Sequence, residues 1–193
     1  DSHVVDDESI ARVLNVVDGL CVVSGDRRPR IELVSNPWPV AVVVAGAGEE
    51  SRIVVSDGFV ATMDRVETEA VMAHLLWRIR SGNAEFLTWY MAMHAFLSRI
   101  GLGSLIGRAA GRASSEPIEV WADLAACQAT RYPPALVSAL EKCRAPFAGE
   151  VDLAPLWFAL PEDGGASSAA ASFHSLGLAH SSLDERISIL KEI

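Results

Sequence analysis

The chain has 193 residues, of which 50% are hydrophobic and 21% charged, and its formal net charge is -9 at pH 7. The acidic balance without a run of Lys and Arg argues against a nucleic-acid partner, because phosphate binding needs clustered cations to release counterions. The positive mean hydropathy is high for a soluble protein but short of a multi-span membrane protein, so we expect a partner to cover part of the surface.

The first third of the chain predicts one helix followed by three short strands. Apolar residues at helical spacing predict a helix over 10–21. Runs rich in β-branched residues then predict strands over 31–34, 40–45 and Arg52–Ser56, separated by turn-forming residues. We therefore expect a small, mainly antiparallel sheet of hairpin-linked strands.

The next helix has a strong start signal. Asp64 stands where an N-cap residue is expected, and Glu67 follows three residues later, which is the spacing of a capping box. The helix is expected to run from Arg65 to about Ser81 and to end near Gly82, since glycine favours helix C-termini. Its apolar positions are frequent enough to predict a central, largely buried helix.

Residues 84–107 form the most hydrophobic segment of the chain. His94 and several glycines interrupt it, whereas a membrane-spanning helix needs about 20 consecutive apolar residues. Trp89 and Tyr90 beside a moderately polar stripe suit an interface, so we expect 86–106 to contact a membrane surface or a partner. A helix buried in the core is the other interpretation.

The remainder of the chain predicts three helices, over 118–129, 135–143 and 183–193, and a flexible loop of small residues over 164–172. With the elements above, this indicates one mostly helical α+β domain over 1–193. Three cysteines lie far apart without CxxC spacing, so we expect buried thiols and a reducing compartment. We therefore expect a cytoplasmic location, either free or at the cytoplasmic face of a membrane.

The segment Ala70-Val71-Met72-Ala73-His74-Leu75-Leu76-Trp77-Arg78-Ile79-Arg80 resembles the active-site helix of HtpX-like zinc metallopeptidases, gluzincins that include the CAAX prenyl protease. In that family the helix carries H-E-x-x-H, in which two histidines hold zinc and the glutamate activates water. His74 matches the first histidine. Leu75 stands in place of the glutamate, and Arg78 stands in place of the second histidine.

The resemblance continues downstream and covers nearly the whole chain in order. Glu119-Val120-Trp121-Ala122-Asp123 resembles the family's E-x-x-A-D helix, which implies that Glu119 matches the third zinc ligand and Asp123 the carboxylate that supports a ligand histidine. The segment from His180 to Ile187 resembles the closing H-P-P-L-x-E-R-I motif without its two prolines. The family fold implied is mostly helical, with a small sheet packed on the active-site helix.

The two departures from the motif predict a loss of catalysis. Leucine neither accepts nor donates a proton, so Leu75 removes the general acid-base group. Arginine keeps its proton, so Arg78 places a fixed positive charge where zinc needs a neutral ligand. We expect no catalytic residue and no metal cofactor. Our hypothesis is that the Arg78 guanidinium pairs with Glu119 while Asp123 holds His74.

Three classes of function follow from this pattern. The favoured one is an inactive pseudopeptidase that binds a protein or peptide at a membrane, with the peptide adding to the sheet along Arg52–Ser56. The alternative is an active zinc endopeptidase with an altered site, in which His180 joins His74 and Glu119. The third is a lipid-facing accessory domain that uses 86–106.

Overall fold

A computed structural model describes residues 7–46, 50–99, 101, 118–144, 154–160, 178 and 181–193. It is mostly helical with one small sheet, which confirms the predicted α+β class. The loop expected over 164–172, the end of the oily segment 84–107 and His180 lie outside the described residues.

The helices and strands lie close to where the sequence predicts them. In chain order they are α1 (Asp7–Ser24), β1 (Arg30–Val34), β2 (Ala41–Val44), β3 (Arg52–Ser56), α2 (Asp57–Thr62), α3 (Arg65–Arg80), α4 (Asn83–Ser98), α5 (Ile118–Thr130), α6 (Pro133–Lys142), a 3-10 turn (Ala154–Leu156) and α7 (Leu183–Lys191). The short helix α2 and the 3-10 turn are additions to the predicted set.

The sheet is mixed and has the strand order β1-β3-β2. β1 pairs with β3 in parallel and β2 pairs with β3 in antiparallel, so the expected hairpin between the first two strands is wrong. β3 lies in the middle and uses its backbone groups on both sides. The predicted addition of a peptide along Arg52–Ser56 is therefore also wrong, because strand addition needs an unpaired edge.

The N-terminus of α3 forms the capping box that the sequence predicts. The Asp64 side chain accepts from the Glu67 backbone N–H at 2.8 Å, and Glu67 accepts from the Asp64 N–H at 2.7 Å. From α6, the Ser138 hydroxyl and the Lys142 ammonium also donate to Glu67, at 2.6 and 2.5 Å. These bonds satisfy a buried carboxylate and fix α6 against the start of α3.

α2 connects the end of β3 to α3 through a tight corner. Asp57 at this corner accepts from the Asn36 backbone N–H at 2.7 Å. A Cβ atom built on Gly58 would lie 2.2 Å from the Pro37 carbonyl oxygen. The chain passes so closely here that only glycine fits, which places α3 at a fixed distance from the sheet.

The central helix α3 packs against α1, α4, α5, α6 and β2. It is buried on most of its faces, with Ala70, Val71, Met72 and Leu75 fully enclosed in one hydrophobic cluster. The same helix also buries the polar side chains of Glu67, Thr68, His74 and Arg78. A buried cation and imidazole need compensating partners, and these partners define the candidate site.

The hydrophobic helix α4 is mostly exposed, in contrast to the buried helix α3. Only Ala84 and Leu87 are buried among its 16 residues, while Phe86, Trp89 and Phe96 are 57%, 58% and 64% exposed. The Phe86 and Tyr90 rings stack with centroids 5.8 Å apart. Within the described ranges, every helix falls short of the length and apolarity needed to cross a membrane.

Candidate functional site

Five buried ionisable side chains from three helices lie close together. His74 and Arg78 come from α3, Glu119 and Asp123 from α5, and Arg186 from α7. None is more than 6% exposed. Because an unpaired charge is costly to bury, the cluster depends on mutual compensation.

Asp123 is the centre of this cluster. Its carboxylate contacts His74 Nδ1 at 2.8 Å and accepts two hydrogen bonds from Arg186, Nε at 2.6 Å and Nη2 at 2.7 Å. Burial alone would raise the pKa of Asp123, but the Arg186 charge and the hydrogen bonds from His74 and Arg186 bring that pKa below its ordinary value. Asp123 is therefore a buried carboxylate ion in a bidentate contact with Arg186.

His74 is neutral at physiological pH. Burial lowers its pKa to about 4, against the opposing effect of Asp123. Because the Asp123 carboxylate can only accept, the imidazole proton lies on Nδ1 and leaves Nε2 with a lone pair. This Nε2 atom is buried without a hydrogen-bond partner in the described structure, and the Phe158 ring packs edge-on against the imidazole at 5.1 Å.

Arg78 points its guanidinium at backbone oxygens. It donates to the Trp157 carbonyl at 3.1 Å, to the Pro155 carbonyl and to Asn83 Oδ1 at 3.3 Å. Burial lowers the pKa of Arg78 to about 10, while the charge of Glu119 acts in the opposite direction. The direct Arg78–Glu119 pair of our hypothesis is thus absent from the contacts between described residues, and Glu119 acts on the guanidinium through its charge.

The segment 154–160 lies across these side chains. The Phe158 backbone N–H donates to the Ala41 carbonyl at 2.8 Å, and Trp157 forms an antiparallel bridge with Val42. Arg186 Nη1 donates to the Phe158 carbonyl at 2.7 Å. The segment therefore joins β2 to the charged cluster.

Neither this segment nor Arg186 is among the site residues predicted from the sequence. Arg186 had a usable signal, because it lies three residues after Leu183 and four before Leu190, on the face that the helix buries. The segment had a weaker one, an apolar run next to a proline. Nothing in either pattern says which carbonyl meets which guanidinium.

The described residues do not fit the zinc site of the family. Leu75 is fully buried in the hydrophobic core, and the Arg78 cation belongs to the same cluster as His74. Over the part of the chain that the structure describes, no group of three or more His, Cys, Asp or Glu side chains is arranged to hold a metal. His180, the residue expected to complete an altered site, falls outside that part.

Comparison with known proteins finds relatives described as protease HtpX homologues. The one from Dictyoglomus turgidum is 27% identical, covering 86% of this chain and 66% of that protein. Those from Dictyoglomus thermophilum and Bacteroides fragilis are each 26% identical, covering 95% and 94% of this chain and 70% and 68% of the relatives. No family model matches the chain, and no solved structure gives a significant match.

The α+β architecture with a buried charged cluster on its central helix is the arrangement that the resemblance to metallopeptidases implies. The similarity over most of the chain to several protease HtpX homologues then supports an HtpX-like metallopeptidase family for it. The chain spans 66% and 70% of the length of the two Dictyoglomus relatives.

Proposed function

We propose that this chain is a catalytically inactive, HtpX-like pseudopeptidase that binds a protein or peptide partner at a membrane. The observation that carries this proposal is the pair of buried substitutions around His74: an aliphatic side chain at Leu75 and a guanidinium at Arg78. Leu75 offers no group to move a proton, and Arg78 adds positive charge close to the surviving imidazole. The scaffold keeps its core while its chemistry lapses.

One observation favours the alternative, an active zinc endopeptidase with an altered site. Zinc-ligating histidines commonly donate their second ring N–H to a carboxylate, and His74 does so to Asp123. Its Nε2 atom carries a lone pair without a partner among the described residues. A direct metal measurement separates the two proposals.

We expect the purified protein to contain far less than one zinc per chain and to leave casein intact. The Arg78 cation repels a divalent ion, and no carboxylate stands at position 75 to activate water. Elemental analysis by mass spectrometry after dialysis against zinc, together with a fluorescent casein assay, tests both expectations. Stoichiometric zinc that is lost in His74→Ala and kept in the α4 control His94→Ala would support the peptidase instead.

The exposed aromatic side chains of α4 support a binding role at a membrane. Phe86, Trp89 and Phe96 are each more than half exposed and follow one another at helical spacing. A stripe of exposed aromatic side chains marks an interaction surface, and aromatic residues suit the boundary between lipid and water. This surface lies within the segment 86–106.

We expect the double variant W89S/Y90S to float with anionic phosphatidylglycerol liposomes several-fold less than the unchanged protein, because it loses Trp89 from this stripe and the Tyr90 ring that stacks on Phe86. Trp121→Ser on α5 provides a matched control, since Trp121 is 51% exposed and Trp89 is 58% exposed. Equal flotation of the α4 and α5 variants would remove membrane contact from the proposal. The zinc measurement would be unaffected by that outcome.

A further inference from the structure

We propose that the space beside His74, where the resemblance implies a substrate cleft, is a peptide-binding site. The chain fills this site with its own residues 154–160, which Arg78 holds in place. This inference rests on the proposed function and extends it, because it names the class of ligand that binds beside His74. The ligand class is an apolar peptide that meets the edge of the sheet through a β-bridge. In this structure the peptide comes from the same chain.

The first argument is strand addition at the edge of the sheet. β3 pairs along one side of β2, so the other side of β2 is the edge that faces the segment. Trp157 bridges Val42 in antiparallel, and the Phe158 N–H donates to the Ala41 carbonyl at 2.8 Å. Peptide ligands that extend a sheet use main-chain hydrogen bonds of this kind for affinity.

The second argument is that arginine side chains donate hydrogen bonds to the carbonyl groups of the segment. Arg78 donates to the carbonyls of Pro155 and Trp157, and Arg186 donates to that of Phe158. These three carbonyl groups thus accept hydrogen bonds from two buried guanidinium groups. Arginine presents several donors in a fixed planar geometry, which suits holding more than one carbonyl at once.

The third argument is the depth at which the segment's side chains lie. Leu156 and Phe158 are each 1% exposed, and the Phe158 ring contacts both the His74 imidazole and, at 5.3 Å, the Arg186 guanidinium. Trp157 packs against Trp38 with ring centroids 5.8 Å apart. The segment fills the space beside His74, so another peptide reaches this space only when 154–160 leaves it.

Arg78 is a positioning residue in this arrangement. It stands where the resemblance implies a histidine, and its guanidinium reaches the segment with two of its donors. A histidine side chain is shorter and has at most two ring N–H groups that point in different directions. Arginine in place of histidine at position 78 therefore removes a metal ligand and also holds the segment 154–160 beside His74.

The test compares Arg78→Met with Arg80→Met on the same helix. Arg80 is a suitable control because its side chain is 54% exposed and its ion pair with Asp26 is long, at 3.8 Å. Hydrogen exchange would be followed at the Phe158 amide and at core amides of α3. In R78M we expect roughly tenfold faster exchange at Phe158, beyond any change at the core amides, because local opening is separable from global unfolding.

A fluorescein-labelled peptide with the sequence of residues 154–160 supplies the second readout. It should bind the variant Phe158→Ala, in which the segment loses its buried ring while the site keeps both arginines, roughly tenfold more tightly than it binds the unchanged protein or R80M, because a site closed in cis lowers apparent affinity by its open fraction. The same peptide with Ala in place of its Phe should bind weakly. Should R78M fail to fold, Arg78→Lys, which keeps the charge but loses the planar fork, takes its place.

Two results would overturn this inference. One is exchange at Phe158 that rises no more than exchange in the core, which would make Arg78 a general stabiliser. The other is the absence of saturable peptide binding to a folded Phe158→Ala variant. Neither result depends on zinc content or casein cleavage, so the pseudopeptidase proposal would stand or fall separately.

Discussion

Replacing Asp123 by Asn should reduce the free energy of unfolding by about 3 to 5 kcal/mol, the range for breaking a buried ion pair from one side. The substitution is nearly isosteric, so the loss comes from charge and hydrogen bonding. Arg186 would keep its positive charge at 2% exposure with its two-pronged partner neutralised. The amide group would also present donors to Arg186, which has only donors of its own.

Urea unfolding followed by circular dichroism measures this loss. Asp184→Asn on α7 is the matched control, because Asp184 also contacts an arginine, Arg144, but its side chain is 75% exposed. Exposed ion pairs contribute little, so we expect a change within about 1 kcal/mol for the control. A loss for D123N as small as that of D184N would show that Asp123 does not compensate the buried charges.

Local patterns predicted the parts of the fold that depend on near neighbours in the chain. The capping box at Asp64 and Glu67 follows from a spacing of three residues, and the structure contains it. The resemblance to the H-E-x-x-H and E-x-x-A-D helices singled out His74 and Asp123, and the structure brings these two side chains within 2.8 Å. Helix periodicity alone would not have paired two residues that lie 49 positions apart.

The parts that could not be predicted depend on contacts between distant segments. Alternation within a strand shows which face is buried but not which strand lies beside it, so the order β1-β3-β2 was invisible in the sequence. The arginine contacts were hidden for the same reason. Arg78 was expected to meet a carboxylate, yet carbonyl groups 77 and 79 residues away are its partners.

The cluster also explains how an arginine is accepted where the resemblance implies a metal ligand. Arg78 and Arg186 are cations, Glu119 and Asp123 act on them as anions, and His74 is neutral with a pKa of about 4. Two positive charges therefore face two negative charges in a region closed to water. The buried carboxylates of Glu119 and Asp123 need positive charge nearby, and the guanidinium groups of the chain supply it.

The two guanidinium groups should nevertheless contribute unequally to stability. The pKa of Arg186 is raised, since the charge and hydrogen bonds of Asp123 more than offset its burial, whereas burial lowers the pKa of Arg78 to about 10. The charged form of Arg186 is thus favoured by its site, and that of Arg78 is only partly compensated. Removing each side chain should reveal this difference.

We expect Arg186→Met to reduce the free energy of unfolding by about 3 kcal/mol or more, because it leaves Asp123 as an uncompensated buried anion. Arg78→Met should reduce it by about 1 to 2 kcal/mol, because lost hydrogen bonds to carbonyls are partly offset by the removal of a poorly compensated charge. Urea unfolding of both variants at one pH measures the order. If R78M proved the more destabilised, Glu119 would have to compensate Arg78 as fully as Asp123 compensates Arg186, and Arg78 would be the main replacement for the metal rather than a clamp on 154–160.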